Sequence, residues 1–86
     1  MAGRKDSFTL TVVGEAGVVY YGDCRVLFVP TQKEQLAIMP EHTPMIAQLG
    51  SGDVIAQEGS KKHILATIKT GLLYVGDGEV SVLVDV

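Results

Sequence analysis

Cysteine occurs once in this chain, at Cys24, and histidine twice, at His42 and His63. A lone cysteine excludes an internal disulfide and suits a reducing compartment. Cys24 lies in an apolar, strand-like run, so a buried, inert thiol is expected there rather than a nucleophile. The two histidines stand far apart in sequence, with no second cysteine to complete the tight ligand spacings that tetrahedral zinc sites use. No metal ligand and no cofactor is assigned. His63 follows Lys61 and Lys62 at the start of a strand, where a solvated side chain is expected.

Basic charge is also sparse. Seven Lys and Arg stand against ten Asp and Glu, for a net charge of −3. The basic residues are scattered, which argues against a nucleic-acid surface. No uncharged apolar run approaches the roughly 20 residues that span a bilayer. The polar opening residues have no apolar segment behind them to act as a signal sequence. The protein is expected to be soluble as a unit and to touch a membrane only through a partner.

Chemistry has few footholds. There is no G-x-x-x-x-G-K-[ST], no G-x-G-x-x-G before a helix and no G-x-S-x-G elbow. Glu41 and His42 are adjacent, but neighbours on an extended corner point apart. Glu58, Asp77, Glu79 and Asp85 fall in turns or on polar faces, so no acid–base pair converges. No catalytic and no nucleotide-binding residue is assigned. Enzyme is the least favoured class.

Helical periodicity is missing too; the period throughout is two. Phe8, Leu10 and Val12 alternate with Thr9, Thr11 and Val13. Val18 to Tyr21 is β-branched and aromatic and is expected to end at Gly22-Asp23. Cys24 to Val29 is almost wholly apolar, which suits a strand buried on both faces and stopped by Pro30. Short strands are expected at Leu36–Met39, Met45–Leu49 and Val54–Gln57. From Lys62 to Lys69, Ile64, Ala66 and Ile68 alternate with His63, Leu65 and Thr67. After Gly71 comes Leu72–Val75; Gly76-Asp77-Gly78 is the clearest hairpin signal, and valine-rich Val80–Val86 ends the chain. Eight or nine short strands with turns every few residues define an all-β sandwich or barrel in one domain. Residues 1–6 are expected to be flexible, and the final valine-rich strand points to a domain cut from a longer protein.

The chain is organised around one stretch, Leu36-Ala37-Ile38-Met39-Pro40-Glu41-His42-Thr43-Pro44-Met45-Ile46. It holds two of the three prolines and one of the two histidines. Proline fixes φ and pushes the residue before it towards extended geometry, so this should be a stiff, exposed corner. A stiff loop loses little entropy when a partner immobilises it. Read from physics alone, it is either a recognition loop or a plain connection between strands.

At this corner the sequence resembles the epsilon subunit of F-type ATP synthases, called delta in mitochondria. The family's hallmark is Leu-Gly-Ile-x-Pro-x-His-x-Pro-Leu-Leu, matched here by Leu36 to Ile46. The resemblance spans the chain. Phe8 to Val13 is similar to the opening strand, Val19-Tyr20-Tyr21-Gly22 to the turn after it, and Leu27 to Thr31 to the strand before the acidic loop. Leu49-Gly50-Ser51-Gly52 resembles a Leu-x-Pro-Gly turn, Gly71 to Val75 a Gly-Gly-x-x-Glu-Val strand, and Val80 to Asp85 the last strand. The chain departs from the family's glycines at Glu34, Ala37, Glu41 and Thr70, and from its proline at Ser51. At Glu34 and Glu41 a left-handed glycine conformation is therefore not expected.

The resemblance implies a flattened sandwich of about ten short antiparallel strands. It implies a non-catalytic central-stalk subunit that binds gamma and seats on the c-ring, at the cytoplasmic face of an energy-transducing membrane, as in the bacterial inner membrane. Lys33, Glu34 and Gln35, together with Pro40, His42 and Pro44, match the region that faces these partners. The family's inhibitory C-terminal helices, which in some members bind ATP, have no counterpart before Val86, so neither inhibition nor nucleotide binding is expected. The alternative is a free-standing β-sandwich that binds a peptide or a small ligand.

Overall fold

The computed structural model describes residues 6–86, and the expectation of flexibility in 1–6 lies outside the described residues apart from Asp6. Nine strands follow one another without a helix among the described residues: β1 (Phe8–Gly14), β2 (Gly17–Cys24), β3 (Val26–Pro30), β4 (Gln35–Ile38), β5 (Met45–Leu49), β6 (Gly52–Glu58), β7 (Lys61–Ile68), β8 (Gly71–Val75) and β9 (Glu79–Val84). They form a five-stranded sheet in the order β2-β1-β9-β8-β5 and a four-stranded sheet in the order β4-β3-β6-β7. The expected all-β sandwich is what the chain adopts.

The nine strands among the described residues agree with the eight or nine read from alternation, and one detail differs from the sequence expectation: one pairing is parallel. Strand β9 lies beside β1 in the same direction, with Leu10 opposite Val80 and Val12 opposite Val82; every other pair is antiparallel. A parallel pair needs a long crossover. Here the rest of the sandwich supplies it, because the first and last strands share the middle of one sheet. Sequence periodicity carries no information about that neighbour.

The core lies between the sheets. Leu10, Val12, Leu73 and Val82 face it from the larger sheet, and Leu27, Val29, Ile38 and Val54 from the smaller, all fully buried. Each such side chain contributes roughly 1.5–3 kcal/mol by leaving water. Alternation produced these faces, and the inward residues of β1 and β9 are those expected from the sequence.

The run from Cys24 to Val29 is corrected. Strand β2 continues through Gly22 and Asp23 to Cys24, and the chain breaks at Arg25 before β3 begins. Cys24 therefore pairs with Phe8 in the larger sheet, while Leu27 belongs to the smaller. Nor is β3 buried on both faces: Leu27 and Val29 point inward, but Val26 and Phe28 are only half-buried. The Lys62 ammonium sits over the Phe28 ring, 5.1 Å from its centroid, which covers that ring from the solvent side.

A bulge corrects β7. Val54 opposes Ala66, but Ile55 opposes Ile64, leaving Leu65 as the extra residue. One added residue reverses every side chain beyond it. Leu65 consequently packs on the core while Ile64 turns outward, 62% exposed. A second bulge leaves Val19 of β2 unpaired between Tyr20 and Val18.

Candidate partner-docking surfaces

The corner after β4 is a tight turn. The His42 N–H donates to the Met39 carbonyl at 3.1 Å, closing a β-turn with Pro40 and Glu41 at its centre. Glu41 has φ 66°. Proline at the second position with a positive φ at the third defines a type II turn, which ordinarily calls for glycine at the third. The expectation that Glu41 would avoid this conformation is thus overturned. Pro40 cannot take the positive φ of a primed turn, so Glu41 must supply the left-handed residue. Glu34, the other position in question, does not have a positive φ.

His42 is half-buried, and its Nδ1 lies 2.7 Å from the Thr43 carbonyl oxygen. A carbonyl only accepts, so Nδ1 carries the proton in this contact. The corner faces the β8–β9 hairpin. Glu41, His42 and Pro44 line one wall of an open depression of about 430 Å³, and Gly76, Asp77 and Gly78 line the other.

Lys33, Glu34 and Gln35 sit elsewhere. Thr31 organises their loop: its Oγ1 accepts from the N–H groups of Lys33 at 3.2 Å and Glu34 at 2.9 Å, and its hydroxyl donates to the Glu34 carbonyl. The Thr31 N–H reaches the same carbonyl at 3.0 Å. Next to this loop, the Gly50 N–H donates to the Pro30 carbonyl at 2.9 Å. A Cβ on Gly50 would come within 3.0 Å of the Thr31 carbonyl carbon and oxygen, so only glycine fits there without a shift. Gln35 is already the first residue of strand β4, whose four residues carry the chain from this loop to the corner, roughly 13 Å at the usual rise per residue. The six residues taken from the sequence therefore form two groups at opposite ends of the sandwich. Lys33, Glu34 and Gln35 hold one end; Pro40, His42 and Pro44 hold the other.

A smaller cavity of about 240 Å³ opens between β2, β6 and β7, with Tyr20, Cys24, Arg25, Glu58 and His63 among its walls. Cys24 is buried, and its thiol, a weak donor, donates to the Val26 carbonyl at 3.3 Å. Burial pushes the thiol pKa up to about 11, so the nucleophilic thiolate is scarce at neutral pH. The expected inert, buried cysteine is what the fold holds. His63 is exposed, as expected of a strand start beside lysines. Among the described residues no three His, Cys, Asp or Glu side chains gather as a metal site would require.

Sequence reasoning missed one surface. Ile46, Leu72, Tyr74 and Leu83 stand on the outer face of the five-stranded sheet with much of their area in solvent. A signal for it was present: Leu72-Leu73-Tyr74-Val75 does not alternate, and a strand apolar on both sides is one covered on both sides.

Tight turns at each end of a two-layer sandwich, with apolar area on an outer face, define an all-β domain. The chain belongs to the family described as "ATP synthase, Delta/Epsilon chain, beta-sandwich domain", whose sequence model matches residues 7–86. Among its relatives, an ATP synthase epsilon chain of Leptospira interrogans is 29% identical over 76 residues, 88% of this chain and 59% of that one. An ATP synthase epsilon chain of Nitrosococcus oceani is 32% identical over 74 residues, 86% of this chain and 53% of that one. The chain thus spans little more than half the length of these relatives. Its fold also matches a chain in the Euglena gracilis mitochondrial ATP synthase structure of OSCP, F1 and c-ring, with TM-score 0.83 and 20% identity, covering 98% of this chain and 54% of that one. A chain in the Tetrahymena thermophila mitochondrial ATP synthase central stalk and c-ring structure matches with TM-score 0.74 and 14% identity, over 98% of this chain and 67% of the other.

Proposed function

We propose that this sandwich serves as the epsilon-type subunit of an F-type ATP synthase central stalk, without catalytic residues of its own. The observation that carries the reading is the family match over residues 7–86, with the Pro40-Glu41-His42-Thr43-Pro44 corner at its centre. Relatives that carry the name epsilon chain support it. The module's task is to hold gamma and the c-ring as one rotor, so that torque passes through stiff contacts. Because β4 separates the two groups of residues, they serve as two contacts. The loop of Lys33, Glu34 and Gln35 seats on the c-ring, and the corner of Pro40, His42 and Pro44 meets gamma.

Attachment to the membrane is through that complex, at the cytoplasmic face of an energy-transducing membrane. No helix of the described residues is long and apolar enough to cross one. Strands from Phe8 to Val84 build the sandwich, and no helical hairpin stands among the described residues. This stretch by itself therefore supplies coupling contacts without inhibiting hydrolysis or binding ATP.

The test is capture of purified gamma and c-ring from the same organism on the immobilised chain. Both should be retained, and a Pro40/His42/Pro44 triple substitution should weaken retention of gamma while the chain stays folded. Retention of neither partner by the unaltered chain would remove the reading. The same preparation, added to the ATPase, should leave hydrolysis uninhibited.

A further inference from the structure

The cavity of about 240 Å³ between β2, β6 and β7 has an apolar floor made by Ala56, Leu65 and the Cys24 thiol. Tyr20 closes one side. Its ring lies against Gly22, where an added Cβ would come within 3.1 Å of the hydroxyl, and that hydroxyl donates to the Asp23 carbonyl at 3.1 Å. The wall is therefore held in place at both ends of the ring.

The bulge in β7 shapes the other side. Counted back from Ala66, which packs on the core, strict alternation would send His63 outward. The extra residue instead sets His63 opposite inward-packed Ala56, and His63 joins the cavity wall. Re-aiming a side chain in this way is a recurrent use of bulges.

The mouth carries charges of both signs. Val26 opposes Gln57, which brings Arg25 beside Glu58 at the opening, with Asp23 nearby. The Glu58 charge is felt inside: burial is the main cause of the raised Cys24 pKa, and the Glu58 carboxylate adds to it. Neither Arg25 nor Glu58 forms an ion pair among the described residues, so each charge is open to a ligand.

Size and charge together select the occupant. At ~30 Å³ per water the space equals about eight waters, and it falls short of the ~300 Å³ at which pockets for drug-sized ligands begin. A nucleotide is too large. A bare anion such as phosphate would meet two carboxylates at the rim. A divalent cation would find no cluster of three His, Cys, Asp or Glu among the described residues. A small zwitterion with an aliphatic body satisfies the floor and both signs of the mouth.

We propose that this cavity binds a free α-amino acid with a branched aliphatic side chain, its carboxylate on Arg25, its ammonium on Glu58 and its side chain against Ala56 and Leu65. An Arg–carboxylate fork is the strong form of such a contact. The cavity lies on the side of the sandwich where β2 and β7 are the edge strands, whereas the corner joins β4 to β5 on the other. The site is thus independent of the stalk reading.

The test is a titration of the isotope-labelled chain with L-leucine, followed through its amide chemical shifts. Saturable shifts are expected at Arg25, Ala56, Glu58 and Leu65, with a Kd of about 1 mM or tighter, while Glu41 and Gly78 at the open depression stay unmoved. Arg25→Gln and Glu58→Gln should each raise Kd at least about fivefold, because each leaves one ligand charge unpaired. Isocaproate and isoamylamine keep the leucine side chain with one charge apiece, and each should bind at least about fivefold more weakly than leucine. Ala56→Leu should abolish binding by filling the floor; if its melting curve shows a damaged fold, the two exposed charge variants decide alone. No saturable shift up to about 20 mM leucine would overturn the proposal, since a site of the expected affinity would be full. Equal binding of either single-charge analogue, or an unchanged Kd in both folded charge variants, would overturn it too.

Discussion

The loop before β4 and the corner after it both reverse the chain within a few residues, yet they are stabilised in opposite ways. In the loop, Thr31 satisfies two backbone donors and one carbonyl with a single hydroxyl, and no residue leaves ordinary backbone space. In the corner, Pro40 sets the turn type and Glu41 is held left-handed at φ 66°. A residue with a Cβ costs about 1–2 kcal/mol in that conformation. The loop is thus a local solution written in one side chain. The corner is imposed by its proline and by the strands on either side, and it persists because the surroundings over-determine it. A loop that merely connects gains nothing from stiffness, whereas a contact point does.

Buried Cys24, which lies at the corner end of the sheet, gives the largest effect and calibrates the rest. Its folded pKa of about 11 lies above the ordinary 9.0, so the folded state favours the neutral thiol. The stability this contributes is complete below pH 9 and is lost as pH climbs from 9 to 11. The loss should reach about 2 kcal/mol at the top of that window. Denaturant melts of the native chain and of Cys24→Ala across this range should diverge, the alanine variant losing less; parallel curves would contradict the burial argument. Next, Thr31→Val should cost about 0.5–1.5 kcal/mol, since it removes the hydroxyl that bonds the exposed N–H groups of Lys33 and Glu34. A change below 0.5 kcal/mol in the urea midpoint would mean that water replaces the hydroxyl without loss, about the limit seen for surface changes.

Smaller, and opposite in sign, is Glu41→Gly. Relief of the left-handed strain is partly offset by glycine's extra freedom when unfolded. A net gain of about 0.5–1 kcal/mol is expected, or a few degrees in Tm for a domain this size. A drop in Tm would show that the Glu41 side chain holds the corner through its own contacts. Finally, Thr31→Val and Glu41→Gly should add to within about 0.5 kcal/mol when combined, because sites this far apart without shared partners act independently. A larger deviation would show that β4 couples the two connections into one unit.

Much of this fold could be read from alternation. Phe8, Leu10 and Val12 on β1, and Val80, Val82 and Val84 on β9, point where a period of two places them. Turn chemistry was equally legible in Gly76-Asp77-Gly78, where Gly78 takes φ 76°, and at Gly59, left-handed in the two-residue connection of β6 to β7. Errors arose where one extra residue mattered. Leu65 is inserted by a bulge, so Ile64 and Leu65 exchange the sides that strict alternation assigns them. Gly22-Asp23 carries turn-forming residues but is held in β2 by pairing with Leu10 and Thr9. Local preference there yields to a neighbouring strand.

The candidate site divides in the same way. The proline–histidine–proline skeleton is visible in the sequence because proline acts on its own backbone. That Lys33 and His42 stand at opposite ends of β4 is a matter of strand direction, which no motif encodes. The apolar outer face is less visible still. Tyr21 is distant in sequence from both Ile46 and Tyr74, and the three share a row only because β9 pairs with β1 on one side and β8 on the other.

By itself the sequence determined an all-β domain, the inward face of most strands, most of the turns and the burial of Cys24. Each follows from an interaction between a residue and its own backbone, its near neighbours or water. Tertiary structure alone decided the parallel pairing of β1 with β9, the two bulges, the left-handed Glu41 and the assembly of one uncharged surface from five strands. Those depend on which distant segments meet, and that is settled by the packing of the whole chain.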